Sequence, residues 1–181
     1  LNGNSHELVY DSADSLYHTE IESFMKVQNL TGAPNTNGLY WLVTTKDGVQ
    51  YRFGYNPDSE LSSNTGRSYS LKWSLDQIQD THDNKIFYSY SEDSYPKDNG
   101  TQYISQILYN NDKRRKIDFV YESNDRPDIR FVYDQGNELN ETRRLSEIRI
   151  FADGNLVRKY QIEYVNLNPE NSSSSISKIK Y

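Results

Sequence analysis

Apolar and aromatic residues alternate with polar residues over much of this sequence. The alternation is clear at Leu39, Trp41 and Val43, which share one parity. Because successive side chains of a β-strand point to opposite faces of the sheet, such a set predicts a strand with one apolar face and one wet face. The same pattern recurs at 117–121, 129–133 and 160–164.

Compact turn signals separate the alternating runs. Asp47-Gly48 and Asp153-Gly154 are the strongest, because Asp and Gly tolerate the backbone angles that tight hairpins require. The predicted fold class is therefore all-β: an antiparallel meander of about ten to twelve hairpin-linked strands, in a curved or layered sheet with little or no helix. The predicted strands are 6–10, 16–27, 39–45, 49–54, 70–79, 85–91, 102–109, 115–122, 128–134, 144–151, 156–165 and 176–181.

Three segments are less regular. Residues 70–79 could place Leu and Ile on one helical stripe, but the strand is favoured over the helix. Residues 30–38 and 56–67 are rich in Asn, Ser, Thr and Gly, and both are predicted to be loops.

The predicted organisation has two parts. Residues 1–167 form one β-sheet module, and residues 168–181 form a serine-rich connector and a final strand. The connector, at 168–175, is predicted to be flexible because of its Pro and four consecutive Ser. The chain begins at Leu1 rather than at methionine, so we expect it to be a fragment of a longer protein.

Composition narrows the function classes. The 181 residues include 16 Tyr, 6 Phe and 2 Trp, and tyrosine rings suit half-buried sheets better than a deep apolar core. The formal net charge of -6 disfavours nucleic acid as a partner. No run approaches the roughly eighteen apolar residues of a membrane span. With no cysteine, the chain offers neither disulfides nor a cysteine zinc site.

Candidate metal ligands are scattered along the chain. His6, His18 and His82 lie in separate segments without the spacing of a zinc site. The acidic turn at 76–84 could offer oxygens to calcium, but Asp and Asn at hairpins usually bond their own backbone. The basic run at 113–116 is interpreted as a hairpin cap or a contact to an acidic neighbour. We therefore predict no catalytic, cofactor-binding or metal-binding residue.

Two interpretations of the aromatic residues stay open. The first is structural, and its residues are Trp41, Phe53, Trp73 and Tyr88 for packing, Asp47 and Gly48 for a turn, and Arg126 and Asp128 for a possible ion pair. The alternative is a sugar platform, because the apolar face of a pyranose stacks on aromatic rings. That platform would comprise Trp41, Tyr51, Tyr69 and Trp73.

Two long stretches carry a family resemblance. They read Trp41-Leu-Val-Thr-Thr-Lys-Asp-Gly-Val-Gln-Tyr-Arg-Phe-Gly54 and Trp73-Ser-Leu-Asp-Gln-Ile-Gln-Asp-Thr-His-Asp-Asn-Lys-Ile-Phe-Tyr-Ser-Tyr90. They resemble the N-terminal region shared by insecticidal toxin-complex B subunits and the plasmid-borne virulence B proteins of Salmonella. Further pieces match in order at 104–109, 117–121, 126–128, 144–148 and 160–164, so that the resemblance extends from Leu8 to Tyr164.

The resemblance implies a structural function. That family is related to the Rhs or tyrosine-aspartate (YD) repeat proteins, in which an all-β shell encloses a cytotoxic polypeptide and the toxic activity lies in another domain or subunit. We therefore expect a non-enzymatic shell or scaffold segment of a larger secreted or cell-surface toxin-like protein. Its partners would be the remainder of the parent chain or other toxin subunits. The alternative function is a carbohydrate-binding or adhesion module that uses exposed Trp and Tyr to bind a glycan.

Local features of the family lead to two further expectations. The 126–128 element would be a structural corner, and Asp83 stands where glycine is usual in a turn. The virulence B proteins carry an ADP-ribosyltransferase elsewhere in their length. Glu20-Ile21-Glu22 has its Glu-x-Glu spacing, but the motif precedes the elements that should come before it. We predict instead that strand alternation places both glutamates on a solvent face.

Overall fold

The computed structural model describes residues 5–168 and 173–181 and consists almost entirely of β-strands. Within these ranges the one helical element is a 3-10 turn at Pro57–Ser59, and no helix is long and apolar enough to cross a membrane. The predicted all-β fold is confirmed. The strands are β1 (Leu8–Asp11), β2 (Leu16–Thr19), β3 (Lys26–Thr31), β4 (Leu39–Thr44), β5 (Gln50–Phe53), β6 (Glu60–Ser62), β7 (Ser70–Trp73), β8 (Leu75–Gln79), β9 (Lys85–Glu92), β10 (Gln102–Tyr109), β11 (Arg115–Tyr121), β12 (Arg130–Asp134), β13 (Asn137–Glu141), β14 (Leu145–Ala152), β15 (Asn155–Asn168) and β16 (Ser173–Lys180).

Twelve of the strands form one open antiparallel sheet, called here the main sheet. Its order is β1-β2-β3-β4-β5-β8-β9-β10-β11-β14-β15-β16, so each strand pairs with the next main-sheet strand along the chain. Two hairpins are inserted into this order, β6-β7 between β5 and β8, and β12-β13 between β11 and β14. The predicted antiparallel meander is therefore confirmed, with two inserted hairpins in addition.

The two faces of the main sheet differ in chemistry. Residues directly opposite each other on paired strands share a face. One face carries apolar rows such as Tyr51, Ile78, Ile86 and Tyr109, and Tyr88, Ile107, Ile117 and Ile150. The other face carries polar rows such as Gln106, Asp118, Arg149 and Lys159. The alternation in the sequence thus produces one predominantly apolar face and a second face, called here the polar face. On the polar face the charged and amide rows lie beside a mixed row of Phe87, Leu108, Lys116 and Phe151.

The apolar core of the described chain is small. The buried hydrophobic side chains are Val27, Ala33, Val43, Leu61 and Tyr103. The largest fully buried side chains are instead polar: Glu60, Asn137, Thr101, Thr142, Asp76 and Ser59. Since a buried polar group without a hydrogen-bond partner is costly, the fold depends on how these groups are bonded.

Three β-bulges in the main sheet share one arrangement. Each places an extra residue in one strand, and these residues are Asp76 in β8, Ser105 in β10 and Ser146 in β14. The carbonyl just before each extra residue accepts a hydrogen bond from a tyrosine hydroxyl on the next strand. The pairs are Tyr90 with Leu75 (2.8 Å), Tyr121 with Ile104 (3.0 Å) and Tyr164 with Leu145 (2.8 Å).

These hydroxyls compensate for the local loss of sheet pairing. A bulge disrupts the ladder of backbone hydrogen bonds and bends the strand that carries it. Burial raises the pKa of Tyr90 and of Tyr121 to about 12, so both hydroxyls stay protonated and can donate. Tyrosine is therefore used in this sheet to bond backbone carbonyls as well as to cover its apolar face.

One predicted strand, 16–27, is interrupted by an irregular stretch between β2 and β3. The Thr19 hydroxyl donates to the Ile21 carbonyl at 2.7 Å, and Phe24 adopts a left-handed φ of 55°. These local contacts break the strand even though its sequence alternates. The strand predicted for the Glu-x-Glu motif at 20–22 is therefore wrong, although Glu20 and Glu22 are both exposed to solvent, as predicted.

A second predicted strand, 70–79, is divided at Ser74 into β7 and β8. The Ser74 N–H donates to the Ser59 carbonyl at 2.7 Å, which ties the division to the 3-10 turn. In addition, β6 lies inside the predicted loop at 56–67, and β13 lies where no strand was predicted. Both short strands are rich in polar residues, and their sequences do not alternate clearly.

The predicted connector at 168–175 overlaps two strands. Asn168 is the last residue of β15, and 173–175 are the first residues of β16. The final strand therefore begins earlier than the predicted 176, and it pairs with β15 in the main sheet. The rest of the predicted connector, 169–172, lies outside the described residues.

We expect Tyr121→Phe to lower the free energy of unfolding by about 1–2 kcal/mol, because the Ile104 carbonyl loses its donor while the ring is retained. Tyr133→Phe is the control, since Tyr133 is 70% exposed and its hydroxyl bonds only a nearby side chain. Urea unfolding followed by circular dichroism measures both variants. Equal stability of Tyr121→Phe and the wild type would contradict the role given to the hydroxyls at the bulges.

Candidate functional site

The inserted hairpins and the main sheet border a groove, called here the inter-hairpin groove. It consists of two adjoining cavities of about 580 and 510 Å³, which share Gln102, Arg126 and Glu141. The first cavity is lined by Leu61, Leu71, Val132 and Leu139 of the hairpins. The second is lined by Tyr90, Tyr103, Tyr121 and Tyr164. The groove thus combines apolar and aromatic walls with a few charged groups, which is typical of binding sites.

Asn137 joins one hairpin to the loop of the other. Its side chain is fully buried at the start of β13. Its Oδ1 accepts from the Ser63 hydroxyl (2.9 Å) and the Asn64 N–H (2.8 Å), and its Nδ2 donates to the Tyr69 hydroxyl (2.8 Å) and the Asp134 carbonyl (3.0 Å). One amide thereby meets both its donor and its acceptor capacity and fixes the two hairpins side by side.

Asp76 anchors the segment that leads into β6. As the extra residue of the β8 bulge, it is completely buried. Its carboxylate accepts from Arg52 Nε (2.6 Å), from the N–H groups of Tyr55 (2.5 Å) and Asn56 (3.1 Å), and from the Ser59 hydroxyl (3.1 Å). A buried carboxylate with a cation and three further donors is well satisfied. The bulge therefore turns this side chain toward the 3-10 turn.

The predicted pair of Arg126 and Asp128 lies at the other side of the groove. Arg126 Nε donates to Asp128 at 2.9 Å, and both side chains are largely buried. Asp128 also accepts from the Ser174 N–H (3.1 Å) and hydroxyl (2.7 Å), so the pair ties the start of β16 to the segment before β12. The hydrogen bond from Arg126, followed by those from Ser174, holds the pKa of Asp128 well below its usual range.

Two further arginines of the groove are paired and stacked. Arg143 donates to Asp125 and lies 4.4 Å over the Tyr95 ring. Arg144 makes a bidentate pair with Glu122 (2.7 and 3.1 Å) and lies 4.4 Å over the Tyr164 ring. Because each of these two guanidinium groups already has a carboxylate partner, neither presents an unpaired positive charge to an anionic ligand.

Two of the predicted aromatic anchors, Trp41 and Trp73, contact each other. Trp41 and Trp73 meet edge to face, with ring centroids 5.9 Å apart and an interplanar angle of 78°. Trp41 lies opposite Phe53 on the paired strands β4 and β5, and a Cβ atom at Gly54 would overlap the Trp73 ring. Tyr88 lies in an apolar row of the main sheet, where burial raises its pKa. The energetic importance of these residues stays a prediction.

The two strongest turn signals lie in hairpin turns. Gly48 has φ 84°, and its N–H donates to the Thr45 carbonyl at 2.9 Å. The Thr45 hydroxyl donates to Asp47 at 2.5 Å. Asp153 and Gly154 have φ values of 50° and 81° in the turn between β14 and β15. Gly48, Asp153 and Gly154 therefore adopt the left-handed angles for which Asp and Gly are suited.

The residues of the sugar-platform hypothesis do not form one flat surface. Trp41 and Trp73 stand nearly perpendicular to each other. The Tyr69 hydroxyl donates to the Gln135 carbonyl at 2.9 Å in the contact between the hairpins, and Tyr51 lies in an apolar row of the main sheet. A sugar platform needs rings that present their faces together, so this arrangement does not favour the hypothesis.

The candidate metal ligands remain largely apart. His18 Nε2 lies 2.9 Å from Asp14 Oδ2, and Asp11 completes a cluster of three in which both carboxylates are exposed and His18 is half-buried. Both carboxylates also accept from backbone N–H groups of the same turn. In the acidic turn, Asp80 accepts from the N–H groups of His82 and Asn84, as expected for an Asp that serves its own backbone.

Three residues of the basic run at 113–116 contact an aromatic ring or a carboxylate. The ammonium of Lys113 lies 4.7 Å over the Phe87 ring, and that of Lys116 pairs with Asp118 at 2.7 Å. Arg114 lies 3.7 Å from Asp153 of the neighbouring hairpin. These contacts agree with a hairpin cap and do not form a continuous basic surface.

Sequence reasoning missed the residues that position the groove. In the sequence, Asp76 is notable only as an oxygen donor near the acidic turn, Asn137 only as part of a turn signal, and no local pattern marks Gln102. Their roles follow from a bulge and from inserted hairpins, which bring together residues distant in the chain. The turn signal Gln135-Gly136-Asn137, which leads into β13, does indicate a hairpin at that place.

The fold and the sequence both resemble known proteins. The profile described as "SpvB: Salmonella virulence plasmid 65kDa B protein" matches residues 9–152. No curated protein sequence matches this one. The solved N-terminal domain of effector protein SpvB from Salmonella typhimurium strain LT2 superimposes with a TM-score of 0.74 at 17% identity, covering 99% of this chain and 74% of that one.

Two toxin-complex structures share the fold. The crystal structure of TcdB2-TccC3 matches with a TM-score of 0.73 at 13% identity, and that of TcdB2-TccC3-Cdc42 with 0.68 at 14%. The matches cover 98% and 90% of this chain but only 12% and 11% of those chains. This chain therefore corresponds in fold to a small part of those much longer proteins.

We expect Asp128→Asn to loosen β16, with amide hydrogen exchange of 173–180 as the measurement. The folded-state pKa of Asp128 is lowered, so its contribution to stability is present above the ordinary pKa of 3.8 and is lost as pH falls. The wild type should therefore lose protection of β16 below about pH 4, and Asp128→Asn should lack that part of the pH dependence.

Glu163→Gln is the control for Asp128→Asn. It removes the exposed pair of Glu163 with Lys180 on the same two strands. Exposed ion pairs contribute little to stability, so this variant should leave exchange of β16 unchanged. Equal exchange in both variants would contradict the assigned role of the Arg126–Asp128–Ser174 contacts.

Proposed function

This chain belongs to the family of the Salmonella virulence plasmid 65kDa B protein, and we propose that it is a non-enzymatic wall segment of a shell built by a larger toxin-like protein. The likeness to TcdB2-TccC3 supports this proposal, because the same fold there occupies only 12% of a much longer chain. The partners of the segment are then the remainder of its parent chain or other toxin subunits. As in the Rhs and YD-repeat proteins that it resembles, the parent protein would be secreted or displayed at the cell surface.

The observation that carries the proposal is the single-layered main sheet. Its apolar face bears rows of Tyr and Ile that are only half-buried, while its polar face bears paired charges. Glu147, for example, pairs with Arg149 (2.6 Å) and Lys159 (3.5 Å) on the polar face. A sheet of this kind can face water on one side and requires further protein on the other.

The chemistry of the inter-hairpin groove supports a structural role. Its arginines are bonded to carboxylates, and its tyrosine hydroxyls bond backbone carbonyls or, for Tyr103, Asp98. A hydrolase or transferase would need titratable groups that are free to act on a substrate, whereas these arginines and tyrosines are bonded within the fold. We therefore place the toxic activity of the parent protein outside this segment.

The test compares matched charges on the two faces in the full-length parent protein. Ile107 lies on the apolar face of β10, and its neighbour Gln106 lies on the polar face. Ile107→Glu should weaken assembly of the shell, because an unpaired carboxylate would be buried against the adjoining layer at a cost of several kcal/mol. Gln106→Glu should not.

Limited proteolysis of the parent protein measures the outcome. We expect faster cleavage of shell and enclosed polypeptide for Ile107→Glu and wild-type resistance for Gln106→Glu. Circular dichroism of the isolated segment checks that both variants still fold. If the parent protein tolerates Ile107→Glu as well as Gln106→Glu, the apolar face is not covered in the parent and the proposal is wrong.

A further inference from the structure

Four carboxyl groups gather where the β6-β7 hairpin meets the ends of β9 and β10. Glu92 ends β9 and is half-buried, Asp93 follows it, Asp58 lies in the 3-10 turn, and Glu60 begins β6 with only 1% of its surface exposed. Within residues 5–168 and 173–181, none of the four forms an ion pair with Lys, Arg or His. Their mutual repulsion is therefore not offset by a paired cation.

Gln102 links Glu92 to the residues that flank the β6-β7 hairpin on both sides. Gln102 Nε2 donates to Glu92 Oε1 at 3.1 Å and to the Asp58 carbonyl at 2.9 Å. Gln102 Oε1 accepts from the hydroxyl of Ser74, the residue between β7 and β8. Gln102 thus connects Glu92 with the 3-10 turn and with Ser74.

The other contacts of these carboxylates are with neutral donors. Asp58 accepts from the Tyr90 N–H at 2.8 Å, and Asp93 accepts from the Thr101 N–H at 2.8 Å. Glu60 accepts from Asn37 Nδ2 and from the Ser62 hydroxyl. On β7, the exposed Lys72 lines the same cavity as Gln102 but forms no ion pair among the described residues. The environment of Glu92 thus disfavours its negative charge.

The direction of the titration follows from this environment. Burial raises the pKa of Glu92 to about 7; the hydrogen bond from Gln102 opposes the rise, and repulsion from Glu60, Asp93 and Asp58 adds to it. The folded state therefore holds this proton more tightly than the unfolded state, in which the pKa is near 4.5. The associated stability is present below pH 4.5 and is lost as pH rises toward 7.

We propose that Glu92 is a proton-controlled latch for the β6-β7 hairpin. With Glu92 protonated, the hairpin is held against the ends of β9 and β10. With Glu92 ionised, repulsion from Asp58 and Glu60 loosens it. Because this hairpin carries Trp73 against Trp41 and forms one wall of the inter-hairpin groove, the latch controls how firmly that wall is closed. The inference does not depend on the proposed function.

The main test is amide hydrogen exchange of 60–73 between pH 5.5 and 8, corrected for intrinsic exchange rates. In the wild type we expect protection to fall by on the order of tenfold across this range, as a shift of one pKa unit or more implies. Glu92→Gln keeps the side chain neutral and should keep the protection nearly constant. Glu141→Gln, which neutralises an exposed carboxyl of the same groove, should behave as the wild type.

Two further readouts keep the proposal falsifiable. The chain contains only two Trp, which contact each other, so their fluorescence should follow the same titration in the wild type and not in Glu92→Gln. Carbon NMR of the side-chain carboxyls should give Glu92 a midpoint near pH 7, and Glu60→Gln should lower it. A Glu92 midpoint near 4.5, or the same pH dependence of exchange in Glu92→Gln and the wild type, would overturn the proposal.

Discussion

Hydrogen bonding of the polar groups that the bulges release is the constraint on which the rest of this structure depends. A sheet of twelve strands has to bend, and bulges permit bending at the cost of regular backbone pairing. Here tyrosines on the following strands bond the carbonyls at three bulges, as Tyr121 does for Ile104. At one of them the extra residue, Asp76, also turns inward and bonds the segment that leads to the first inserted hairpin. The bends of the sheet and the attachment of that hairpin thus have a common origin.

The small apolar core follows from the same architecture. A single layer can bury little on its own, and the two hairpins cover only part of it. What they add is largely polar: Asn137 between the hairpins, and Arg126 with Asp128 at the start of β16. Hydrogen bonds are directional, so these contacts fix the positions of the hairpins. The rows of Tyr and Ile stay half-buried, and in the proposed function they provide the apolar area that another layer would cover. Polar contacts that position the hairpins, together with apolar rows that stay half-buried, are consistent with a segment that completes its core within a larger protein.

The sequence predicts the main sheet well and the groove poorly, for physical reasons. Alternation is a local property, and strands such as β4 and β11 follow it closely. The strand expected at 16–27 failed because side chain to backbone bonds at Thr19 compete with the ladder. The groove depends on register: Asp76 is buried only because a bulge shifts it, and Asn137 contacts residues more than seventy positions away. No local pattern encodes either fact.

The two sides of the inter-hairpin groove respond to pH in opposite ways. At the β16 side, Arg126 stabilises ionised Asp128, so this side is at full strength throughout the neutral range and weakens only in acid. At the β6-β7 side, burial among carboxylates favours the protonated form of Glu92, so this side weakens as pH rises toward 7. Between about pH 5 and 8 one wall is therefore fixed while the other changes. A change in the shape of the groove over that range has to come from the β6-β7 hairpin, whose attachment includes Gln102.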